Sequence, residues 1–530
     1  MEPLAEIRDG RRPGDPGPLP VAALAGALPD ALLADIAAEV ARAGWLDPHA
    51  PGRVYEAWLA RDRTGRRAGG AYYTPPALVD FVVQQTLGRV LAPGVRIIDP
   101  ACGGGAFLVG ALAAGARGAD LVGVDIDPIA ADVCRLALAM AGAPEATVIT
   151  GDALGDAIDG AFDVVIGNPP WGQKGLKYPP DEAARLRARY RTARGVLDPF
   201  KLFVERAIEL AGESGRWGLV LPDIVLLKNQ QPLRELILER CALEWIVHAG
   251  RAFPDVNLDV AVLVARGGRP AAPVRIWHSL PETWREAPPP EHALDQRCFE
   301  ELPAKRFNIY LTAADRDWVG SLASLPRLGD WFEIHEGVHT GNAREVLIRD
   351  ARESDDAVPI VIGRRELQRY RLAWGGAWLH PGALDRAAGH YGALGRPEWH
   401  EAGKIVVRRT GDHVVAAVDT TGTWITNNAF VVVPRAPMSV ARLRAVVGVL
   451  NSGFMTRYFR TVQPRTGRLF AELKINHLAA FPLPNGDINH LARLVEPLEH
   501  AAAGGTDDPA AADALDAAVE QLYAPRPISA

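Results

Sequence analysis

The stretch Asn168-Pro169-Pro170-Trp171 carries residue types suited to one kind of chemistry. Asn168 offers a side-chain carbonyl acceptor, and the carbonyl of Pro169 offers a second. The two prolines fix the backbone so that both acceptors converge, and Trp171 supplies a flat apolar wall. A planar group with an exocyclic amino group fits such a site: two acceptors meet its two protons, and an aromatic face meets its ring. The amino nitrogen of a nucleobase is one such group. Read alone, the four residues serve equally well as a rigid turn with a core tryptophan, so their neighbours decide.

Those neighbours are strands and glycine turns. Phe162-Asp163-Val164-Val165-Ile166-Gly167 is an apolar, β-branched run, the mark of a strand buried on both faces, and it places Asn168 at its carboxyl end. Open α/β sheets put their ligands there. Upstream, Val95 to Asp99 is a strand running into Pro100-Ala101-Cys102-Gly103-Gly104-Gly105 and a helix. A strand, a glycine turn and a helix bring backbone close to a ligand. The pattern is neither G-x-G-x-x-G nor a P-loop, and the acid before the glycines suits a ligand with positive charge. Leu121 to Asp125 is a second strand, ending in an acid 26 residues after Asp99. An acid so placed suits two ribose hydroxyls. Asp127 before Pro128 reads as a helix N-cap, as does Thr74 before Pro75. Ala146 to Thr150 is a third strand, ending at Gly151-Asp152-Ala153.

Beyond the opening stretch, a helix (Pro199 to Ala211), a strand (Trp217 to Leu221) and a helix (Pro232 to Arg240) follow. Glu244 to His248 and Asp259 to Ala265 read as the last of seven strands. Successive βαβ units make a parallel sheet, so the expected fold is α/β, a Rossmann-like doubly wound seven-strand sheet. A proline-dense stretch at 271–310 reads as a linker. From 311 to 484 short strands and turns dominate, a mixed α/β domain, and 485–530 is a helical tail with Leu515, Val519 and Leu522 on one face. Residues 1–66 read as a flexible segment and a helix without chemistry, leaving 67–270 as the chemical domain.

At 530 residues the chain has room for two or three cores, and 48% hydrophobic with 23% charged residues is ordinary for a globular protein. No run is long enough for a membrane helix, and the N-terminus is unlike a signal peptide. Four scattered cysteines (Cys102, Cys134, Cys241, Cys298) suggest neither zinc nor disulfides, so no metal is expected and a reducing cytoplasm is. A net charge of -6 argues mildly against a nucleic-acid binder coated in positive charge. Two local basic runs remain. Lys174 to Arg194 holds seven basic residues against Asp181 and Glu182, and Arg435 to Lys474 holds eight against Glu472. A solvated face explains most such runs, but the first directly follows Trp171.

The order of these stretches resembles the γ class of DNA amino-methyltransferases, the TaqI-type adenine-N6 enzymes. Gly70-Ala71-Tyr72-Tyr73-Thr74-Pro75, the Asp99-to-Gly105 loop, Gly123-Val124-Asp125-Ile126-Asp127-Pro128, Gly151-Asp152 and Asn168-Pro169-Pro170-Trp171 fall in family order. Glu336-Gly337-Val338-His339-Thr340-Gly341-Asn342, Leu450-Asn451-Ser452 and Leu473 to Leu478 resemble its target-recognition domain. The resemblance covers about Ala68 to Pro484. It implies a methyltransferase domain at 67–270, a target-recognition domain at 311–484, S-adenosylmethionine as cofactor and double-stranded DNA as partner. A separately encoded restriction nuclease is a further expected partner.

By position, the resemblance implies that Thr74, Asp99, Ala101, Gly103 and Gly105 hold the methionine part of the cofactor. Asp125 would take its ribose and Asp152 its adenine. Asn168 and Pro169 would accept from the target amino group, Pro170 would fix the turn, and Trp171 with Phe253 would stack on an extruded base. The family usually has Tyr or Phe where Trp171 stands, and Ala153 stands where an aromatic often flanks the adenine; Leu154 is the candidate to fill that space. Amino-methylation of RNA, a protein glutamine or a small molecule, a silent DNA-binding subunit, and a fused nuclease with Glu472-Leu473-Lys474 are the rival readings. No cysteine follows a proline as C5-cytosine chemistry requires.

Overall fold

A computed structural model describes residues 28–43, 47–61, 74–88, 90–158, 160–171, 178–227, 230–253, 259–281, 290–363, 365–463 and 471–524. The expected flexible N-terminal segment, Gly70 to Tyr73 and parts of both basic runs lie outside them. Two units divide at Ile309 and Tyr310.

In the first unit, helices α1 (Asp30–Ala43), α2 (Ala50–Arg61) and α3 (Pro76–Leu87) precede β1 (Ile97–Asp99). Then come α4 (Ala106–Ala113), β2 (Leu121–Asp125), α5 (Pro128–Met140), β3 (Thr147–Thr150) and β4 (Val164–Gly167). The unit continues through α6 (Pro180–Arg189), α7 (Pro199–Ala211), β5 (Arg216–Pro222), α8 (Gln231–Arg240), β6 (Cys241–Gly250) and β7 (Val260–Gly267). It closes with β8 (Val274–Trp277) and β9 (His292–Leu294). The sheet order is β3-β2-β1-β4-β5-β7-β6-β8-β9. Strands β3 to β5 pair in parallel, and β7 lies antiparallel between β5 and β6. The chain reverses its winding between β1 and β4, and at such a switch point a crevice opens at the strand ends. Asp99 and Asn168 stand there side by side.

All seven expected strands are present, and the sheet is Rossmann-like and doubly wound. It has nine strands rather than seven, because β8 and β9 form inside the stretch expected as a linker. Pro273 immediately precedes β8 and Pro281 follows it, so neither interrupts the strand. Val274, Ile276 and Trp277 are buried there.

Residues expected to lack any role near the chemistry also join this unit. Helices α1 and α2 bury Leu32, Leu33, Ile36 and Tyr55 against Val133 and Leu136 of α5. Their apolar residues recur at helical spacing and need a partner face, which α5 supplies.

The second unit contains β10 (Phe332–Glu336), β11 (Ile348–Arg349), β12 (Val358–Val361), β13 (Trp378–Leu379), β14 (Lys404–Arg408), β15 (Ala416–Asp419), β16 (Trp424–Ile425) and β17 (Ala429–Pro434). These make two four-stranded sheets, β10-β17-β14-β15 and β11-β13-β12-β16. Across β14 and β15, Lys404 faces Asp419 as a buried ion pair. Its remaining capacity is met: Lys404 Nζ also donates to the His400 carbonyl at 2.8 Å, and Asp419 accepts from the Thr423 amide at 2.9 Å. A buried pair so satisfied fixes the register of its strands. Helices α9 (Val440–Asn451), α10 (Gly453–Val462), α11 (Leu491–Ala503) and α12 (Pro509–Tyr523) complete the unit. Leu515 and Val519 are fully buried, and a Cβ on Gly448 of α9 would meet Val495 at 2.9 Å and Leu515 at 3.3 Å. The tail helices are therefore part of this unit's core.

Candidate active site

At the end of β4, Asn168 is held from two sides. Its Nδ2 donates to Thr74 Oγ1 at 3.2 Å, and its Oδ1 accepts from Trp171 Nε1 at 2.8 Å. Trp171 is 2% exposed and meets Phe253, itself buried, edge to face at 5.7 Å between ring centres. The structure thus brings together Thr74, Asn168, Trp171 and Phe253. Two expectations change. Thr74 makes no side-chain cap on α3, whose N-cap is Pro75; its buried hydroxyl holds Asn168 instead. Trp171 is more than a wall, because its N–H fixes the amide's orientation. A carbonyl oxygen carries two lone pairs, so one remains for an incoming amino proton.

Gly167 admits Asp99 to this corner. A Cβ there would lie 2.6 Å from Asp99 Oδ1. Asp99 is 1% exposed and accepts from the Ala101 amide at 3.0 Å. Burial, with the Asp125 carboxylate nearby, pushes its carboxyl up to about 8. The charged form is the disfavoured one, so Asp99 lowers stability as pH rises from its ordinary 3.8 toward about 8. Asp99→Asn is expected to raise the ligand-free thermal midpoint, with a gain that grows across that window and then levels. A gain independent of pH would contradict this cause.

The glycines of the loop divide by what surrounds them. Gly103 has φ +49°, and a Cβ on it would meet nothing within 4 Å, so this residue faces open space. Gly104 and Gly105 face protein: a Cβ would lie 2.5 Å from Gly52 Cα and 3.0 Å from Cys134 Sγ, respectively. Gly104 is required by helix packing, a role the sequence did not reveal. Gly104→Ala is expected to cost about 1–3 kcal/mol through overpacking, read as a lower thermal midpoint. An unchanged midpoint would mean that α2 does not rest on the loop.

Half-buried Asp125 accepts from the Gly103 amide at 2.9 Å and the Asp127 amide at 2.9 Å. Burial raises its carboxyl, and these amides pull it back. Asp127 caps α5 as expected, accepting from the Ile129 amide at 2.9 Å. Between the two acids sits Ile126, 72% exposed. An apolar side chain open to solvent beside a carboxylate offers a face to a ring; its lack of any core neighbour in the Asp-Ile-Asp-Pro run was the available signal. Asp152 accepts from the Leu154 amide and from Arg185 Nη2, each at 2.9 Å. Ala153 and Leu154 are buried. Open space at Gly103, an acid at the end of β2 and an exposed apolar residue together fit a ligand with ribose hydroxyls and a flat ring.

The first basic run, where described, is largely engaged within the chain: Arg185 pairs with Asp152, Arg189 with Asp156 and Glu209, and Arg191 with Glu239. Of the cysteines, Cys102, Cys134 and Cys241 are buried and Cys298 is half-buried. A hydrogen bond with Cys134, together with burial, pushes the Cys102 thiol well above its ordinary range. Among the described residues, Asp223, His248 and Asp259 are one group with metal-ligand spacing, and no helix is long and apolar enough to cross a membrane.

Residues 47–278 match the family described as N-6 DNA Methylase, and residues 358–483 match the TaqI-like C-terminal specificity domain. The chain is 27% identical over 414 residues to the Type II methyltransferase M.TthHB8I of Thermus thermophilus, a match spanning 75% of this chain and 87% of that one. It is 23% identical over 334 residues to the Type II methyltransferase M.VspI of a Vibrio species, spanning 59% and 74%. The Type IIL restriction-modification enzyme MmeI, solved in complex with DNA, shares the fold with a TM-score of 0.57 at 14% identity. That likeness covers 90% of this chain and 80% of that one.

Proposed function

We propose a division of labour that proceeds from one premise: the chain belongs to the N-6 DNA methylases, with a TaqI-like specificity domain behind its methylase domain. It is a DNA adenine-N6 methyltransferase of the restriction-modification type, a reading supported by the N-6 DNA Methylase match and by relatives named Type II methyltransferases. The cofactor is S-adenosylmethionine, which when bound supplies an electrophilic methyl on a sulfonium. On the chain's side, Gly103 leaves room at the loop, Asp125 accepts ribose hydroxyls, Ile126 covers the adenine ring, and Asp152 reads its edge.

The target adenine leaves the duplex to reach the crevice. Its amino group is a poor nucleophile because the lone pair is delocalised into the ring. Asn168 Oδ1 and the Pro169 carbonyl accept hydrogen bonds from its two N–H groups, draw those hydrogens out of the ring plane and let the lone pair localise. Pro170 holds that geometry, and Trp171 with Phe253 packs the ring. Positioning and electrostatics carry the step, with no covalent intermediate. The observation that carries this reading is the Asn168 amide, fixed by Thr74 and Trp171 at the switch point beside the Asp99 loop. Residues 311–484 select the sequence, and a separately encoded nuclease in the same cytoplasm completes the system.

The test is transfer of labelled methyl from S-adenosylmethionine to mixed duplex DNA, followed by nucleoside digestion and mass spectrometry. N6-methyladenine is the expected product. Label absent from DNA, with cofactor still bound, would overturn the substrate.

A further inference from the structure

The stretch Glu336-Gly337-Val338-His339-Thr340-Gly341-Asn342 has no part in the methyl-transfer chemistry, yet it fastens one exposed loop of the second unit from behind. Asn342 Nδ2 donates to the Gly389 carbonyl at 3.1 Å, and its Oδ1 accepts from the Tyr391 amide at 2.8 Å. His339 and Ala393 exchange two backbone hydrogen bonds, each of 2.8 Å. Gly341 has φ +55°, and a Cβ on it would lie 1.9 Å from the Tyr391 carbonyl oxygen, so a glycine is needed for the two segments to meet. The loop also closes on itself: Asp385 Oδ1 accepts from the amides of Ala387 at 2.8 Å and Ala388 at 3.3 Å.

What these bonds hold in place is an aromatic ring in water. Tyr391 is 64% exposed, and among the described residues the only other tryptophan or tyrosine so open is Trp374 at 44%. Packing explains Trp374: its N–H donates to the Ala377 carbonyl at 2.6 Å, and its ring meets Trp378 edge to face. The Tyr391 side chain has neither a hydrogen bond nor a ring contact among the described residues. Beside it, Ala387, Ala388 and Gly389 are small and exposed, and the exposed Arg386 forms no ion pair among the described residues. Ordering a loop costs entropy, and no core is gained here in return. A pre-ordered ring among small residues, with one cation, fits a partner that offers flat faces between anionic rails: duplex DNA. Tyr391 lies inside the match to the TaqI-like specificity domain, residues 358–483, which argues for the same partner.

We propose that residues 385–391 form a rigid tip that enters the bound duplex, with the Tyr391 ring stacked as a wedge at one base step and Asn342 as the positioning residue behind it. The inference rests on the reading of residues 311–484 as the part that selects the DNA sequence. A wedge unstacks a step and kinks the duplex, and the cost of doing so depends on which step it is. Tyr391 thus contributes to selection where no base edge is read, through its ring and not its phenol O–H.

The probe is a duplex bearing a sequence that wild type methylates, identified by sequencing the product from mixed DNA. Full-length wild type, Tyr391→Phe, Tyr391→Ala and Asn342→Ala would be compared by kcat, KM for the duplex, S-adenosylhomocysteine affinity and thermal midpoint. 2-Aminopurine placed at each non-target position in turn would report unstacking. Tyr391→Ala is expected to raise KM for the duplex about ten- to a hundredfold, as loss of one base–aromatic stack does. Its cofactor affinity and midpoint should not change, because the side chain lies outside the core. Tyr391→Phe keeps the ring and should match wild type, whereas Asn342→Ala frees the loop and should raise KM by a smaller factor than Tyr391→Ala. One 2-aminopurine position should brighten with wild type and Tyr391→Phe and stay dark with Tyr391→Ala. Unchanged KM in Tyr391→Ala, equal loss in Tyr391→Phe and Tyr391→Ala, or no non-target position that brightens would overturn the wedge and leave the methyltransferase reading standing. A wild type that transfers methyl to no DNA would overturn that reading, and the inference with it.

Discussion

Asn168→Ala is expected to lower methyl transfer about a thousandfold, some 4 kcal/mol of transition-state stabilisation, while cofactor affinity changes by less than about threefold. Asn168 follows β4 and touches Thr74 and Trp171, whereas Asp125 ends β2, two strands away, and keeps its own hydrogen bond from the Gly103 amide. The loss should therefore fall on kcat. Removing the amide also leaves the buried Trp171 N–H without its acceptor, which costs about 1–3 kcal/mol of stability. Thermal melting of the variant separates the two effects, since a folded variant that binds S-adenosylmethionine and transfers nothing isolates the chemistry. Asn168→Asp keeps the size and one acceptor oxygen, and its residual transfer should lie between the two. Full activity in Asn168→Ala would remove the asparagine from the mechanism.

Much of this site was legible because it is made of strand ends. An apolar run followed by Asn-Pro-Pro-Trp declares both a buried strand and what stands at its end, and the same holds for Asp99 and Asp125. What escaped the sequence depends on contacts across long separations. Asp127 and Thr74 both read as caps from local pattern; only Asp127 is one, because Asn168, 94 residues away, recruits the Thr74 hydroxyl. The glycine turn read as a close approach to a ligand, and at Gly104 it is a close approach to α2. Residues 271–310 read as a linker because their proline density masks β8, a four-residue strand with Pro273 and Pro281 outside its ends. The family-like stretches of the second unit turn out to have structural work. Asn451 clamps β15 through both amide atoms, accepting from the Ala416 amide at 2.8 Å and donating to its carbonyl at 2.9 Å, and Ser452 caps α10. Asn342 ties the 389–391 loop by bonds to Gly389 and Tyr391. A repeated motif is as readily a fold's fastening as its reader of sequence.

Trp171 stands where the TaqI-type pattern favours Tyr or Phe, and the indole explains what the exchange brings. Phenylalanine could pack against Phe253 but has no donor, and the Trp171 N–H is what orients Asn168. Trp171→Phe should then keep most base stacking and lose the amide's orientation, lowering single-turnover transfer about tenfold, as one hydrogen bond of roughly 1–1.5 kcal/mol predicts. Trp171→Ala loses the ring as well, and stacking on a base is worth about 1–3 kcal/mol, so its expected loss is about a hundredfold or more. The two variants should also differ in which step they slow. With 2-aminopurine at the target position, Trp171→Ala should show weakened base extrusion, whereas Trp171→Phe should extrude the base normally and fail later. A target placed opposite a mismatched base is cheaper to extrude and should recover part of the loss in Trp171→Ala but none in Trp171→Phe. Equal activity of Trp171→Phe and wild type would mean that Thr74 alone orients the amide. Equal loss in both variants would mean that the indole N–H, and not the aromatic face, is what this site needs.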